Sequence, residues 1–149
     1  MEGAWKTVTE MGVLIQDLNY LENQYDGVCM YYNESGQPSF VSTFNLGKRD
    51  GYYAEFDDKG NKLVVGTYKN NQKDGKWLYL NEIGTIIKEE HYKDNKADGN
   101  WKSWYLDGRI ESEKTYSDGK LNGIAVDYDK SGRIVFKARY KNNKLIEKY

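Results

Sequence analysis

The sequence contains almost no cysteine, proline or histidine, and no long apolar run. Cys29 is the only cysteine, so no disulfide can form within the chain. No apolar stretch approaches the roughly 20 residues that span a bilayer. Met1 to Thr7 show no basic segment followed by an apolar one. These absences predict a cytoplasmic protein; an exported form whose signal segment has been removed is the alternative.

Charge of one sign is also lacking. The chain has 22 Lys and Arg against 23 Asp and Glu, without a block of like charge, which argues against nucleic-acid binding and against attachment to a membrane. Aromatic residues are abundant, at 15% with 14 tyrosines, whereas only 38% of the chain is apolar. A tyrosine has an apolar ring and a polar tip. The composition therefore predicts a thin, extended β-structure rather than a thick core.

Glycine recurs at a fixed period. A first glycine appears every 24 residues, a second follows nine residues later, and an aromatic residue follows the first glycine by 17 residues, six times without an insertion. We predict six tandem 24-residue repeats. They start at Gly3, Gly27, Gly51, Gly75, Gly99 and Gly123.

Each repeat has the pattern of a β-hairpin. In four repeats the first glycine follows an aspartate, as in Asp74-Gly75, and we assign this pair to a hairpin turn because such turns need positive φ. Strands are predicted at Lys76 to Asn81 and Thr85 to Lys93. The predicted fold is all-β: a single-layer antiparallel β-hairpin repeat forming an elongated twisted ribbon or solenoid. We predict one domain over 1–149, with 141–149 as a C-terminal cap and with open sheet edges that could form a homo-oligomer.

The pattern resembles the bacterial variant of the MORN repeat. The segments Asp74 to Tyr79 and Asp98 to Tyr105 match best, whereas Cys29 and Ala125 replace the tryptophan of repeats two and six. The resemblance covers residues 2 to about 146. It implies a bacterial protein of the antitoxin-like or immunity-like kind. Eukaryotic relatives of the wider group imply scaffolding and contacts near membranes instead.

Catalytic and metal-binding side chains are too few for an enzyme. His91, the only histidine, lies 62 residues after Cys29, more than two repeats away, so the two cannot form a catalytic pair. Zinc lacks ligands, and Asp-x-x-Gly segments carry too few carboxylates for calcium. Glu89 and Glu113 occupy equivalent positions in neighbouring repeats, but no deep pocket would raise the pKa of one of them. We predict no catalytic residue, no metal and no cofactor.

When the six repeats are aligned, each equivalent position forms a column. Columns whose residue differs between repeats are candidates for recognition, whereas columns whose residue type stays constant are structural. The residues two and four positions after the first glycine share one strand face by the period of two. We predict a partner-binding patch of aromatic residues flanked by carboxylates. It comprises Tyr31, Tyr53, Glu55, Trp77, Tyr79, Glu89, Trp101 and Glu113. The alternative is that the aromatic residues simply pack the sheet.

The expected function is protein binding without catalysis, most concretely by an immunity or antitoxin-like protein that masks a toxin with a basic surface. A scaffold or lipid-surface module is the first alternative. A carbohydrate-binding module that stacks sugars on Tyr and Trp is the second.

Overall fold

The computed structural model describes residues 1–149 and is all-β, without a helix. The strands are β1 Gly3–Val8, β2 Leu14–Leu21, β3 Gln24–Tyr25, β4 Gly27–Tyr32, β5 Pro38–Asn45, β6 Lys48–Phe56, β7 Lys62–Lys69, β8 Gln72–Lys73, β9 Gly75–Leu80, β10 Ile86–Lys93, β11 Lys96–Ala97, β12 Gly99–Trp104, β13 Ile110–Ser117, β14 Lys120–Tyr128, β15 Ile134–Lys141 and β16 Lys144–Lys148.

The predicted hairpin repeat is confirmed. In the fourth repeat, strands β9 and β10 match the predicted strands to within one residue at each boundary. Consecutive strands pair antiparallel, with Trp77 opposite Glu90 and Tyr79 opposite Lys88. Alternating β-favouring residues therefore place the strands correctly from the sequence.

The chain divides into two compact units, 1–72 with 82–84 and 73–81 with 85–149. In the first unit β1, β2, β4, β5, β6 and β7 follow one another across an antiparallel sheet. In the second unit the order is β9, β10, β12, β13, β14, β15 and β16. Strand β16, within the predicted cap 141–149, pairs with β15. The single domain and the capping role stay predictions.

The Asp-Gly pairs are not the hairpin turns, so that part of the sequence interpretation was wrong. The turn between β7 and β8 is formed by Asn70 and Asn71, with φ of 48° and 66°. Two consecutive residues with positive φ define the turn that matches strand twist. Gly51, with φ of 115°, instead lies where the register between β5 and β6 shifts, in a bulge. The turn and the bulge both need residues with positive φ. The presence of an Asp-Gly pair therefore does not show which of the two it forms.

The aspartate before the repeat glycine has a different role. The backbone N–H of Asn70 donates to Asp50 Oδ2 at 3.3 Å, twenty residues back along the chain. Asn71 N–H then donates to the carbonyl oxygen of Arg49 at 2.8 Å, and Arg49 N–H donates to Asn71 Oδ1 at 2.7 Å. Each turn thus docks on the preceding repeat, and the aspartate column stabilises that docking.

The second loop of each repeat is held by a side-chain cap. Asp57 Oδ1 accepts the backbone N–H of Lys59 at 2.9 Å and of Asn61 at 2.8 Å. The side-chain hydrogen bond from Asn61 and these backbone donors hold the pKa of Asp57 below its usual range. The carboxylate is therefore satisfied by turn chemistry, as in an Asx-turn.

Burial is concentrated in one cross-strand row of each unit. The residue two positions after the repeat glycine pairs with the residue fifteen positions after it: Cys29 with Ser42, Trp77 with Glu90, and Ala125 with Ala138. All six of these side chains are buried. Pairs in direct contact across the strands are the units that stabilise a sheet.

Candidate functional site

One face of the first unit carries a stack of aromatic rings. We call the face that bears the side chain two positions after each repeat glycine the aromatic face. The Tyr31 and Phe40 rings stack with centroids 4.3 Å apart, and Tyr53 meets Tyr68 edge-on at 5.2 Å. The Arg49 guanidinium lies 5.5 Å from the Tyr53 ring centroid. This face is therefore a packed array of buried and half-buried rings.

Tyr53 is also tied to a carboxylate. Its hydroxyl donates to Glu55 Oε1 at 2.6 Å, while the Glu55 residue is exposed. Burial, together with the hydrogen bond to Glu55, raises the pKa of Tyr53 above its usual range. The pair presents an oriented carboxylate at the edge of the rings.

The aromatic face of the second unit is built on tryptophans. Trp77 is only 1% exposed. The Tyr92 and Trp101 ring centroids lie 5.3 Å apart, and those of Trp101 and Tyr116 lie 4.8 Å apart. Trp101 Nε1 donates to the carbonyl oxygen of His91 at 3.0 Å. This bond and the two ring contacts fix the half-exposed indole in place.

A buried glutamate, Glu90, belongs to the aromatic face of the second unit. Glu90 is 2% exposed, and its carboxylate accepts the Tyr79 hydroxyl at 2.7 Å, the Tyr92 hydroxyl at 2.8 Å and the Lys88 ammonium at 2.5 Å. Burial alone would raise the pKa of Glu90. The three donors lower the pKa by more than burial raises it, so the net pKa lies below its usual range. Glu90 is an ionised carboxylate with three named donors.

Two lysines lie over rings of the aromatic face of the second unit. Lys73 Nζ lies 4.0 Å from the Trp77 ring centroid and 4.9 Å from that of Tyr92. Lys88 Nζ lies 5.3 Å from the Tyr79 centroid and 5.5 Å from the Trp101 centroid. Both ammonium groups are within the distance at which a ring face attracts a cation.

A cleft of about 240 Å³ opens beside Trp101. We call it the lysine cleft. It is lined by Lys88, Trp101, Lys102, Ser103, Ser112, Lys114 and Tyr116. Ser103 Oγ donates to Glu111 Oε2 at 2.9 Å and lies 2.9 Å from Ser112 Oγ, so Ser112 donates to Ser103. The lining thus combines a serine pair bonded to the Glu111 carboxylate with Lys88 and Lys114, whose ammonium groups are paired with Glu90 and Asp127.

The structure sorts the predicted aromatic residues by exposure. Tyr53 and Trp77 are buried, so their side chains contribute packing. Tyr31 is half-buried on the aromatic face of the first unit, and Tyr79 and Trp101 are half-buried on that of the second. Of the five predicted aromatic residues, these three are partly accessible, whereas the other two pack within the sheet.

Two of the predicted glutamates lie on the opposite face. Glu90, rather than Glu89, pairs with Trp77 across the strands, so alternation directs Glu89 away from the aromatic face. Glu89 is bonded to Lys76 at 3.1 Å and His91 at 3.0 Å, and Glu113 to Lys102 at 3.0 Å. Burial alone would raise the pKa of Glu89. His91 and Lys76 lower the pKa by more than burial raises it, so the net pKa lies below its usual range.

Sequence reasoning missed the charged residues of the aromatic face. Lys88, Glu90 and Lys114 were not among the predicted residues, although the sequence contains a signal for them. The column fifteen positions after the repeat glycine is small or apolar in four repeats and charged only at Glu90 and Lys114. A charge in a column that is otherwise uncharged indicates a local role.

No group of three or more His, Cys, Asp and Glu side chains is placed to hold a metal ion. The structure likewise shows no helix of the length and apolarity needed to cross a membrane.

A family described as "MORN repeat variant" matches residues 97–118. The matched segment runs from β11 to the turn after β13, one hairpin of the fifth repeat. It supports a MORN-type repeat protein. Such repeats are generally non-catalytic and generally bind proteins or membranes.

Comparison with curated proteins gives no match. Among solved structures, the chain is similar to one titled "Crystal Structure of TarM", with 13% identity and a TM-score of 0.42. The alignment covers 74% of this chain but only 21% of that chain, so this chain spans about a fifth of its length. A similarity of that size carries no information about activity or ligand.

Proposed function

We propose that this chain is a non-catalytic repeat protein that binds another protein through its aromatic face. The observation that carries the proposal is the half-exposed, fixed Trp101, held by Tyr92, Tyr116 and a hydrogen bond. A rigid aromatic side chain loses little conformational entropy on binding and buries a large area. Residues of this type are common hot spots of protein interfaces.

The finer proposal is an immunity or antitoxin-like role in the cytoplasm of a bacterium, in which binding masks a toxin. Masking needs a complementary surface and no chemistry of its own. The repeat backbone supports this role because it holds different side chains at equivalent positions: Tyr31, Glu55, Tyr79, Ser103 and Asp127 lie four positions after successive repeat glycines. Variation on a constant frame suits recognition of one specific partner.

A basic partner would need exposed carboxylates on the aromatic face, and one of the predicted glutamates, Glu55, meets this requirement. Glu55 is exposed and oriented by Tyr53, so it could contact a cation of the partner. Glu89 and Glu113 already have lysine neighbours on the opposite face, which weakens their attraction for a basic partner. In the first unit we therefore assign recognition of basic groups to Glu55.

Membrane binding is the second candidate function, because Lys88 and Lys114 both line one cleft. Attachment to anionic lipid generally needs a cluster of about four to eight basic residues. The overall balance of 22 basic against 23 acidic residues argues against it. Co-sedimentation with phosphatidylserine vesicles tests this candidate directly.

The test of protein binding uses the full chain as bait in a lysate of its source, followed by mass spectrometry. Tyr31→Ala removes a half-buried ring of the aromatic face. Tyr52→Ala is the matched control, because Tyr52 is an exposed tyrosine whose side chain alternates to the opposite face. A protein retained in equal amounts by the parent and Tyr52→Ala, but lost with a folded Tyr31→Ala, supports the proposal. Equal retention by all three excludes Tyr31 from the interface.

A further inference from the structure

On the aromatic face of the first unit, the guanidinium of Arg49 contacts two rings and donates to no acceptor of the chain. We propose that Arg49 binds the carboxylate of an aspartate or glutamate side chain of the protein partner. The inference rests on the proposed function and names a chemical group that the partner contributes there. It adds an acidic group of the partner to the basic group already assigned to Glu55.

Two tyrosine rings hold the guanidinium in place. Its Cζ lies 5.5 Å from the ring centroid of Tyr53 and 5.4 Å from that of Tyr68, and these two rings meet edge-on at 86°. Arg49 is half-buried, so part of the group stays accessible. A guanidinium that lies against rings still has five N–H donors, in a planar fork that matches a carboxylate with two parallel hydrogen bonds. An ordered side chain also loses less entropy when it binds.

No ion pair of the first unit includes Arg49. The ion pairs of that unit join Lys6 to Asp17 and Lys59 to Glu82. The residue opposite Arg49 across the strands is Phe44, which is uncharged. A carboxylate from outside would therefore meet donors that need not leave another partner, and it would give a half-buried cation the counter-charge that it lacks.

Two aspartates near the turn between β5 and β6 are bonded to the backbone instead. Asp50 Oδ2 accepts the N–H of Asn70 at 3.3 Å, and Asp26 Oδ1 accepts the N–H of Leu46 at 3.1 Å. Both bonds belong to the contacts that dock each turn on the preceding repeat. These carboxylates are therefore committed to the fold, and the Arg49 guanidinium stays available for a partner.

Glu55 limits the charge of the anion. Its carboxylate accepts the hydroxyl of Tyr53, the same residue whose ring contacts Arg49. A doubly charged phosphate or an anionic membrane needs a cluster of cations, whereas this face offers one arginine beside one glutamate. Such a pair matches a singly charged carboxylate at Arg49 and a cation at Glu55. The complementary surface of the partner therefore carries an acidic group beside a basic one.

The repeat architecture does not require an arginine at this position. The equivalent residues, 22 positions after each repeat glycine, are Tyr25, Lys73, Ala97, Leu121 and Leu145 in the other repeats. Lys73, the other cation of this column, donates to the Tyr79 hydroxyl at 3.3 Å. The Arg49 guanidinium, in contrast, donates to no acceptor of the chain, as expected for a residue that recognises a partner.

The experiment titrates the ¹⁵N-labelled full chain with a hexapeptide of alternating glutamate and lysine, blocked at both ends, and follows the arginine Nε–Hε and the β6 amide signals by NMR. We expect a saturable shift of the Arg49 signal. The same peptide with glutamine in place of glutamate should give none, because it lacks the carboxylates.

Arg49→Met should bind the glutamate peptide about tenfold more weakly, since charge-assisted hydrogen bonds are lost. Two repeats have leucine at the equivalent position, so an apolar side chain fits the fold there. Arg49→Lys keeps the charge without the planar fork and should give an intermediate affinity. Arg133→Met, on an exposed arginine of the second unit, is the control and should bind like the parent.

The inference is overturned by an Arg49 signal that does not shift saturably, by equal peptide binding of the folded Arg49→Met and the parent, or by equal binding of the glutamine and glutamate peptides. Stronger Arg49-dependent shifts with inorganic phosphate than with the peptide would overturn it as well. The capture experiment separates this inference from the proposed function. A protein partner retained equally by Arg49→Met and the parent keeps the function and removes the role of Arg49. Peptide binding that depends on Arg49, without any captured protein, keeps the carboxylate site and removes the function.

Discussion

Lys88 Nζ lies 2.5 Å from Oε1 of Glu90, an ion pair in which the glutamate is buried and the lysine is half-exposed. The hydroxyls of Tyr79 and Tyr92 donate to the same carboxylate at 2.7 and 2.8 Å. A buried charge is tolerated only when it is paired and hydrogen-bonded. The arrangement joins the core of the second unit to its surface, because one carboxylate organises two rings and one cation.

Replacement of Glu90 should therefore destabilise the protein. Glu90→Ala leaves the two tyrosine hydroxyls without their shared acceptor, and we expect the free energy of unfolding in urea to fall by about 1–3 kcal/mol. Glu89→Ala is the matched control on the same strand, where a partly exposed pair on the other face should cost about 1 kcal/mol or less. Equal losses in the two variants would contradict the structural role of Glu90.

The same carboxylate should make stability depend on pH. The pKa of Glu90 is lowered by Lys88, Tyr79 and Tyr92, which together outweigh its burial. The ionised form therefore favours the folded state, and this contribution is fully present above the unfolded pKa of about 4.3. It is lost as the pH falls through the lower folded pKa.

Urea unfolding of the parent and Glu90→Gln at a series of pH values measures this contribution. Other carboxylates titrate in the same range, so the relevant quantity is the difference in free energy of unfolding between the two proteins. That difference should shrink as the pH falls from neutral to below about 4.3. A difference that stays constant down to pH 3 would show that the pKa of Glu90 is not lowered in the folded state.

Two repeat glycines should differ in their tolerance of a side chain. Gly123 has φ of 137°, and a Cβ there would lie 2.9 Å from the Cβ of Thr115. Gly75 has φ of 74° with no atom within 4 Å of such a Cβ. Gly75→Ala should cost about 1–2 kcal/mol through backbone conformation alone. Gly123→Ala should cost clearly more, because Gly123 lies in a bulge where the register between β13 and β14 shifts, and this bulge must also move. Thermal unfolding measures both; a smaller loss for Gly123→Ala would contradict the close approach.

The repeat could be predicted from the sequence because every copy forms the same strands and turns and needs the same residue types at the same positions. Glycine at each 24-residue step and alternating strand residues are local signals, and local signals determine the strands. The function of the Asp-Gly pair could not be predicted, because Asp50 acts on Asn70, a residue of the next turn. Such a contact depends on how successive hairpins dock, which a single repeat does not contain.

The candidate site was predicted less well for a similar reason. A shift of one residue in register exchanges the faces of a strand. The sequence shows Glu89 and Glu90 side by side, and only the pairing of Trp77 with Glu90 determines which glutamate accompanies the rings. Burial of Tyr53 and Trp77 likewise depends on neighbouring strands. Trp101 was predicted and is half-exposed, whereas its neighbour Lys88 was missed, although it is the only charged residue thirteen positions after a repeat glycine.

The most direct test of the central claim compares the affinity of a captured partner for the parent, Trp101→Ala and Tyr52→Ala by titration calorimetry. The account predicts that Trp101→Ala, provided that it stays folded by circular dichroism, binds at least about tenfold more weakly, as for a hot-spot residue. Tyr52→Ala, on the opposite face, should bind like the parent. Parent-like affinity in Trp101→Ala together with a loss in Tyr52→Ala would show that the partner binds the opposite face, and would contradict the account.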